Sequence, residues 1–313
     1  MTSSRVLPGF RTDINGLRAW AVVAVILYHF GIPGVGGGFV GVDVFFVISG
    51  FLMTNIVVKG LESGQFSILA FYGARTRRIV PALLVVCLAL LVFGYFFLAP
   101  LDYKILSKHA LAAIGFYSIF RFRSEAGYFD AVSHEKWLLH TWSLSVEWQF
   151  YLLLPVIALV LWRLRPERLT LIIACVVGAV ASVAVSVMQT PSAASTAFFL
   201  LPARAWEMLA GGLVFLLARV SGTPGKSGMY LEWVGFALVL AAIVLFDSRL
   251  GWPGWHALVP VVGAMLILAA RRDGSIWTGN KLAQWLGDRS YSLYLWHWPI
   301  FVALAYFEVH QQT

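Results

Sequence analysis

Residues 79–99, IVPALLVVCLALLVFGYFFLA, carry no charged side chain, and residues 169–188, LTLIIACVVGAVASVAVSVM, repeat the pattern. A helix needs about 20 mostly apolar residues to cross a bilayer, so runs of this kind set the medium in which the chain folds. About ten such segments can be read, near 17–31, 39–58, 79–99, 104–120, 142–162, 169–188, 200–218, 230–246, 256–270 and 290–308. Composition agrees: 60% of the 313 residues are hydrophobic and 12% charged, against about 25% charged in a soluble domain. The expectation is an all-α, polytopic membrane helix bundle of about ten transmembrane helices. It forms a single membrane-embedded domain over 1–313 with no soluble domain, the longest polar stretch, 121–137, being a loop.

The net charge of +8 is explained by topology rather than by nucleic acid, because the basic clusters flank apolar spans. Arg5, Arg11 and Arg18 precede the first span in the manner of a signal peptide. No small-residue cleavage site follows and a second span begins at once, which predicts a retained first helix. The uncharged hairpin GIPGVGGG follows the first span, and Lys59, Arg75, Arg77 and Arg78 follow the second. The positive-inside rule then puts the N-terminus in the cytoplasm. Further along, two topologies remain open. With 104–120 re-entrant, the clusters at 163–168 and 271–272 all fall on the cytoplasmic side and the C-terminus lies outside; ten full crossings leave it inside. Cys87 and Cys175 sit inside apolar runs, where a thiol behaves as a small hydrophobe.

Ionisable groups at membrane depth cost several kcal/mol and by default mark a pathway or an active site. His29 lies eleven residues after Arg18, about 20° past three full turns, so both share one helix face roughly 16 Å apart along the axis. That spacing suits a long anionic cofactor, its phosphates on Arg18 and an extended thiol arm reaching the imidazole; the plainer alternative is a headgroup Arg and an interfacial His. Arg75 and Arg78 are three apart and form a second candidate phosphate clamp, or merely flank a span. Asp43 either orients a histidine or substrate hydroxyl or caps a helix start. In HTWSLSVEWQFY, residues 140–151, His140, Ser143 and Glu147 fall on one helical face. Arg204 and Glu207 are placed to neutralise each other, and His297 is either a second polar site or a packing histidine. There is no GxSxG elbow, P-loop, GxGxxG or Cys/His spacing for a metal.

Five motifs, FRTDINGLRAWAVVAVILYHF, GGGFVGVDVFFVISGFL, FYGARTRRIVPAL, LLHTWSLSVEWQFYLLLP and GDRSYSLYLWHWPI, run in order from residue 10 to residue 300. They resemble the acyltransferase family 3 group of bacterial membrane proteins. The resemblance implies an O-acyltransferase that takes an acyl group, usually acetyl, from cytoplasmic acyl-coenzyme A to a hydroxyl of a surface polysaccharide such as lipopolysaccharide O-antigen. It implies functional roles for Arg18 and His29, for Arg75 and Arg78 in the Arg-x-x-Arg motif, and for Glu147. Two departures stand out. Asn15 occupies the position where many relatives carry Asp, with Asp13 two residues earlier, and many relatives continue into one more span and an SGNH esterase-like domain.

Together these readings predict catalytic roles for His29, as base or nucleophile, and Glu147. Donor binding is expected of Arg18, Arg75 and Arg78, and substrate contacts of Asp43, His140, Ser143 and His297. The expected partners are acyl-coenzyme A, a surface or lipid-linked glycan and the lipid bilayer, in a bacterial inner membrane and with no metal. The rival reading is a transporter or flippase for a lipid-linked glycan or acyl group.

Overall fold

The computed structural model describes residues 11–125, 136–218 and 226–311, with side chains as far as residue 307. Among the described residues there are twelve α-helices and no strand. They are α1 (Thr12–His29), α2 (Gly41–Glu62), α3 (Ile68–Phe97), α4 (Pro100–Ile114), α5 (Ser118–Glu125) and α6 (Trp142–Leu164), then α7 (Arg168–Gln189), α8 (Ala194–Phe199), α9 (Leu201–Leu217), α10 (Lys226–Leu245), α11 (Leu258–Ala270) and α12 (Lys281–Gln311).

Burial sorts these helices into a core and a rim. Most of α2 is buried, whereas α3 exposes Val85, Leu88, Val92, Phe96 and Phe97, and α7 exposes Ile173, Val177 and Val180. An apolar belt of this extent is unstable against water and natural against lipid. Without a hydrophobic force between helices in lipid, close backbone approach must hold the centre together. It does so where α2 crosses α9: a Cβ on Gly50 would overlap the Met208 carbonyl, and one on Gly211 would overlap that of Val47.

The helix ends gather their charges on one face. Arg168 lies 3.8 Å from Glu62, Arg272 donates to Glu232 at 3.2 Å, and Arg11 donates to the Leu268 carbonyl at 2.9 Å. Asn15 reaches Asp288 at 2.9 Å. These contacts bring together the N-terminal ends of α1, α7, α10 and α12 and the C-terminal ends of α2 and α11, and we call this the basic face. On the opposite face, Phe39 packs on Trp252 and Gly254 donates its N–H to Thr190.

Several expected boundaries change. Six helices among the described residues are long and apolar enough to cross a bilayer by length and composition, fewer than the ten segments expected. The expected span 104–120 is not one helix. α4 has 15 residues, about 22 Å at 1.5 Å per residue and short of a 30 Å core. The chain then turns at Gly115 and Phe116, the latter at φ 55°, and α5 doubles back. His109 on α4 and Glu125 on α5 close this hairpin at 2.9 Å, and Phe116 stacks on Trp148 with ring centroids 4.3 Å apart. α3 starts at Ile68, eleven residues earlier than the expected 79, because Ser67 caps it by accepting the Ala70 N–H. α12 likewise starts at Lys281 rather than 290.

Candidate active site

Three cavities follow one another between the two faces. On the basic face a chamber of about 710 Å³ is walled by α1, α2, α7, α9 and α11. A waist of about 120 Å³ comes next, and a second chamber of about 710 Å³ opens beyond it toward the opposite face. Arg18 and Leu52 line both the basic chamber and the waist; Val42 and Tyr294 line both the waist and the far chamber. The three therefore form one line through the bundle.

The waist collects residues expected from their spacing. Arg18, Arg75, Arg78, Ser143 and Glu147 all line it. Helical periodicity brings Glu147 and Tyr151 to one face of α6, where the Tyr151 hydroxyl donates to Glu147 at 3.3 Å and shares a hydrogen bond with Ser49 of α2. Arg75 lines the waist, and its Nε is buried without a hydrogen-bond partner. Higher up, Ser143 and Tyr294 hydroxyls meet at 2.7 Å, and the Tyr294 hydroxyl donates to the His140 carbonyl at 3.0 Å.

The far chamber holds the histidines. His29 ends α1 at its wall, and His29 Nδ1 lies 3.0 Å from His297 Nε2. His297 Nδ1 is 2.6 Å from the Tyr294 carbonyl, which only accepts, so that nitrogen carries the proton. In the neutral pair, Nε2 of His297 then accepts from His29 Nδ1–H, which puts the His29 lone pair on Nε2. Trp298 holds the same imidazole edge to face at 4.7 Å. His140 also lines the chamber, buried and with no hydrogen bond at either ring nitrogen. Its ring centre is 5.8 Å from that of His297.

Two expected substrate contacts take other places. His297 lines none of these three cavities and stands behind His29. Asp43 is fully buried and ion-paired to Arg204 at 3.0 Å; it lines none of the three cavities and reaches the far chamber only through that arginine. Arg204 was expected to be satisfied by Glu207 alone; it has both carboxylates, Glu207 also at 3.0 Å, and a cage of Phe46, Trp142 and Phe198. Arg204 lines the far chamber, as does Lys136, whose backbone carbonyl accepts from Trp298. Sequence reasoning missed Tyr151, Tyr294 and Ser49 as site residues. For the two tyrosines the signal was a hydroxyl three or four residues from a polar group on the same helix face, Tyr151 with Glu147 and Tyr294 with His297; Ser49 lies about 120° round α2 from Asp43, and spacing gave no such signal for it.

The fold and the site define a polytopic helical membrane protein with a cationic mouth joined through a narrow, largely apolar waist to a histidine-lined chamber. The chain belongs to acyltransferase family 3, whose profile, described as an acyltransferase domain, matches residues 11–313. Curated relatives include the peptidoglycan O-acetyltransferase OatA of Listeria monocytogenes, 33% identical over 92% of this chain and 49% of that protein. The O-acetyltransferase OatA of Staphylococcus aureus is 31% identical over all of this chain and 53% of its own length. BcsY of Komagataeibacter xylinus, provisionally named a membrane-bound transacylase, is 33% identical over 96% of the chain and 76% of its own. The chain thus spans about half the length of the two OatA relatives. No solved structure shows a significant match.

Proposed function

We propose that this chain is a membrane O-acyltransferase. It moves an acyl group, acetyl by analogy with its relatives, from acyl-coenzyme A at the basic face to a hydroxyl of a cell-envelope glycan in the far chamber. The observation that carries the reading is the single line of cavities from Arg18 to His29. The relatives' names favour peptidoglycan over lipopolysaccharide O-antigen as the acceptor type. By the positive-inside rule the basic face is cytoplasmic, as is the N-terminus, in a bacterial inner membrane. Ten segments then enter the bilayer. Nine cross it and α4–α5 forms a re-entrant hairpin, which accounts for the grouping of the basic ends of α1, α2, α7 and α11 on one side and sends the C-terminus to the other.

His29 Nε2 takes the proton of the acceptor hydroxyl as its oxygen attacks the thioester carbonyl. The C–S bond breaks and the departing thiolate recovers that proton from His29. A route through an acyl-imidazole uses the same nitrogen, with the carbonyl bonded to Nε2 before the hydroxyl displaces it. Arg18, Arg75 and Arg78 bind the donor where it enters the waist, Glu147 and Ser143 line its arm, and His140 faces the acceptor. Holding thioester and hydroxyl away from bulk water favours transfer over hydrolysis. A flippase would need a passage wide enough for a glycan; the waist, at about 120 Å³ against 710 Å³ on either side, suits an extended arm.

The test is transfer of labelled acetyl from acetyl-coenzyme A to envelope glycans in vesicles carrying wild type or His29→Ala, with folding checked for both. Loss of about 10²–10⁴-fold with the imidazole is expected of a general base. Transfer that survives the substitution refutes the role of His29, and no transfer by the wild type refutes the donor or acceptor assigned here.

A further inference from the structure

The waist that holds Arg75 and Arg78 is about 120 Å³, whereas the chamber below it is about 710 Å³. Sites for molecules of nucleotide size occupy roughly 300–1,000 Å³. A donor with a nucleotide at one end and a thin arm at the other therefore has a seat in this chamber for its bulky end, and the arm continues past Arg18, the cation common to both spaces.

The chamber has the chemistry for such a group. Five cationic side chains line it, Arg11, Arg18, Lys59, Arg168 and Arg271, against two carboxylates, Glu62 and Asp273. Two of these cations already have acids, Arg168 with Glu62 at 3.8 Å and Arg11 with Asp13, and Asp273 accepts the Thr12 N–H at 3.0 Å. Lys59 and Arg271 have no carboxylate within ion-pair distance among the described residues. Two further observations point to a ligand. Arg271 ends α11 at φ 48°, in the left-handed region where helices usually end in glycine and where a long side chain is strained. Asn55 Oδ1, in the same wall, is buried with no hydrogen bond, an acceptor in place for a sugar hydroxyl or a base amine. The guanidinium planes of Arg11 and Arg168 lie over Phe51 and Phe215 at 5.1 and 5.2 Å, which makes flat cationic surfaces for a purine.

We propose that the basic chamber is the binding site for the nucleotide end of the donor, a phosphorylated adenosine diphosphate, with Lys59 and Arg271 on its phosphates and Asn55 on its base or ribose. The proposal rests on the acyl-coenzyme A reading above and assigns the phosphate contacts to residues other than the Arg75/Arg78 pair, which meet the arm.

The test is calorimetric binding of coenzyme A and of 4′-phosphopantetheine, which lacks the nucleotide, to the purified full chain in lipid nanodiscs. The variants are Lys59→Ala, Arg271→Gly and the two combined. Glycine at 271 removes only the side chain and suits the local φ, so the thermal midpoint should equal or exceed that of the wild type. Each single variant should weaken coenzyme A binding about tenfold and the pair about a hundredfold, with phosphopantetheine binding unchanged within twofold. Wild-type binding of coenzyme A that both variants retain overturns the chamber assignment and leaves the donor reading standing. Equal weakening of both ligands also overturns it, since the contacts then belong to the arm. A wild type that binds no coenzyme A removes the donor reading and this proposal with it.

Discussion

Replacing His297 by alanine isolates the step from tautomer to rate. The structure gives His29 Nδ1–H one defined acceptor in this pair, His297 Nε2 at 3.0 Å, and fixes that acceptor through the Tyr294 carbonyl at 2.6 Å. His297 is 5% exposed, so its removal takes this acceptor from a buried site that it shares with the Tyr294 carbonyl and the His140 ring. A buried polar group that loses its partner costs about 1–3 kcal/mol, and at 1.36 kcal/mol per decade this is about a 5- to 150-fold loss if the cost falls on the reactive arrangement. The donor contacts at Arg18 lie roughly 16 Å away along α1, so the loss should appear in kcat with the KM for donor unchanged. Steady-state acetyl transfer in vesicles at varied donor concentration reads both parameters. His297→Gln, whose side-chain carbonyl can still accept, should recover part of the rate. An alanine variant with wild-type kcat, or a loss confined to the donor KM, would show that His297 does not set the reactive nitrogen of His29.

Other perturbations test the frame around the site. Arg204→Met leaves Asp43 and Glu207 buried without a cation and should cost about 3–5 kcal/mol in thermal or denaturant unfolding; adding Asp43→Asn and Glu207→Leu should restore most of it. Gly211→Val should force α2 and α9 apart and lower the unfolding midpoint, by about 1–3 kcal/mol or more, with no defect confined to donor affinity. Tyr151→Phe removes the hydroxyl shared by Ser49 and Glu147 and should lower transfer about 5- to 150-fold through 1–3 kcal/mol of lost polar satisfaction, measured in the same vesicles. With Cys87 and Cys175 replaced by alanine, a cysteine at Arg123 should react with a membrane-impermeant thiol reagent added outside intact cells and one at Lys59 should not. The reverse pattern refutes the orientation.

Much of the site can be read from local spacing, because Arg18 with His29 and Ser143 with Glu147 each lie on one helix and helical period alone aligns them, while His140 sits in the short 3-10 turn just before α6. The partners that define their chemistry are remote in sequence. His297 is 268 residues from His29, and Asp43 is 161 residues from Arg204. Reading Arg204 with Glu207 at i,i+3 gave a correct pair but could not show that a second acid closes the cluster. Hydropathy marks 104–120 as one segment because apolar residues continue through 110–120, and the charge pattern leaves a re-entrant reading open beside a full crossing; the decisive event is one backbone angle at Phe116. The start of α3 was legible in principle, since Ser67 is a good N-cap and Arg75 and Arg78 at i,i+3 share a helix face, but the charge-free apolar run begins only after RTRR.

The narrow waist also bears on energy conservation. Two wide chambers meeting in an open channel would give protons and sodium ions a conducting route and discharge the membrane potential, each unit charge releasing about 2.3 kcal/mol per 100 mV. A constriction crowded by Ser49, Phe45, Phe46 and the Tyr151, Tyr291 and Tyr294 rings leaves room for a slender arm but little for a column of hydrated ions. On the proposed function, the bundle exports chemical modification to the outer surface while the insulating property of the membrane is kept, and the donor itself serves as the stopper during each turnover.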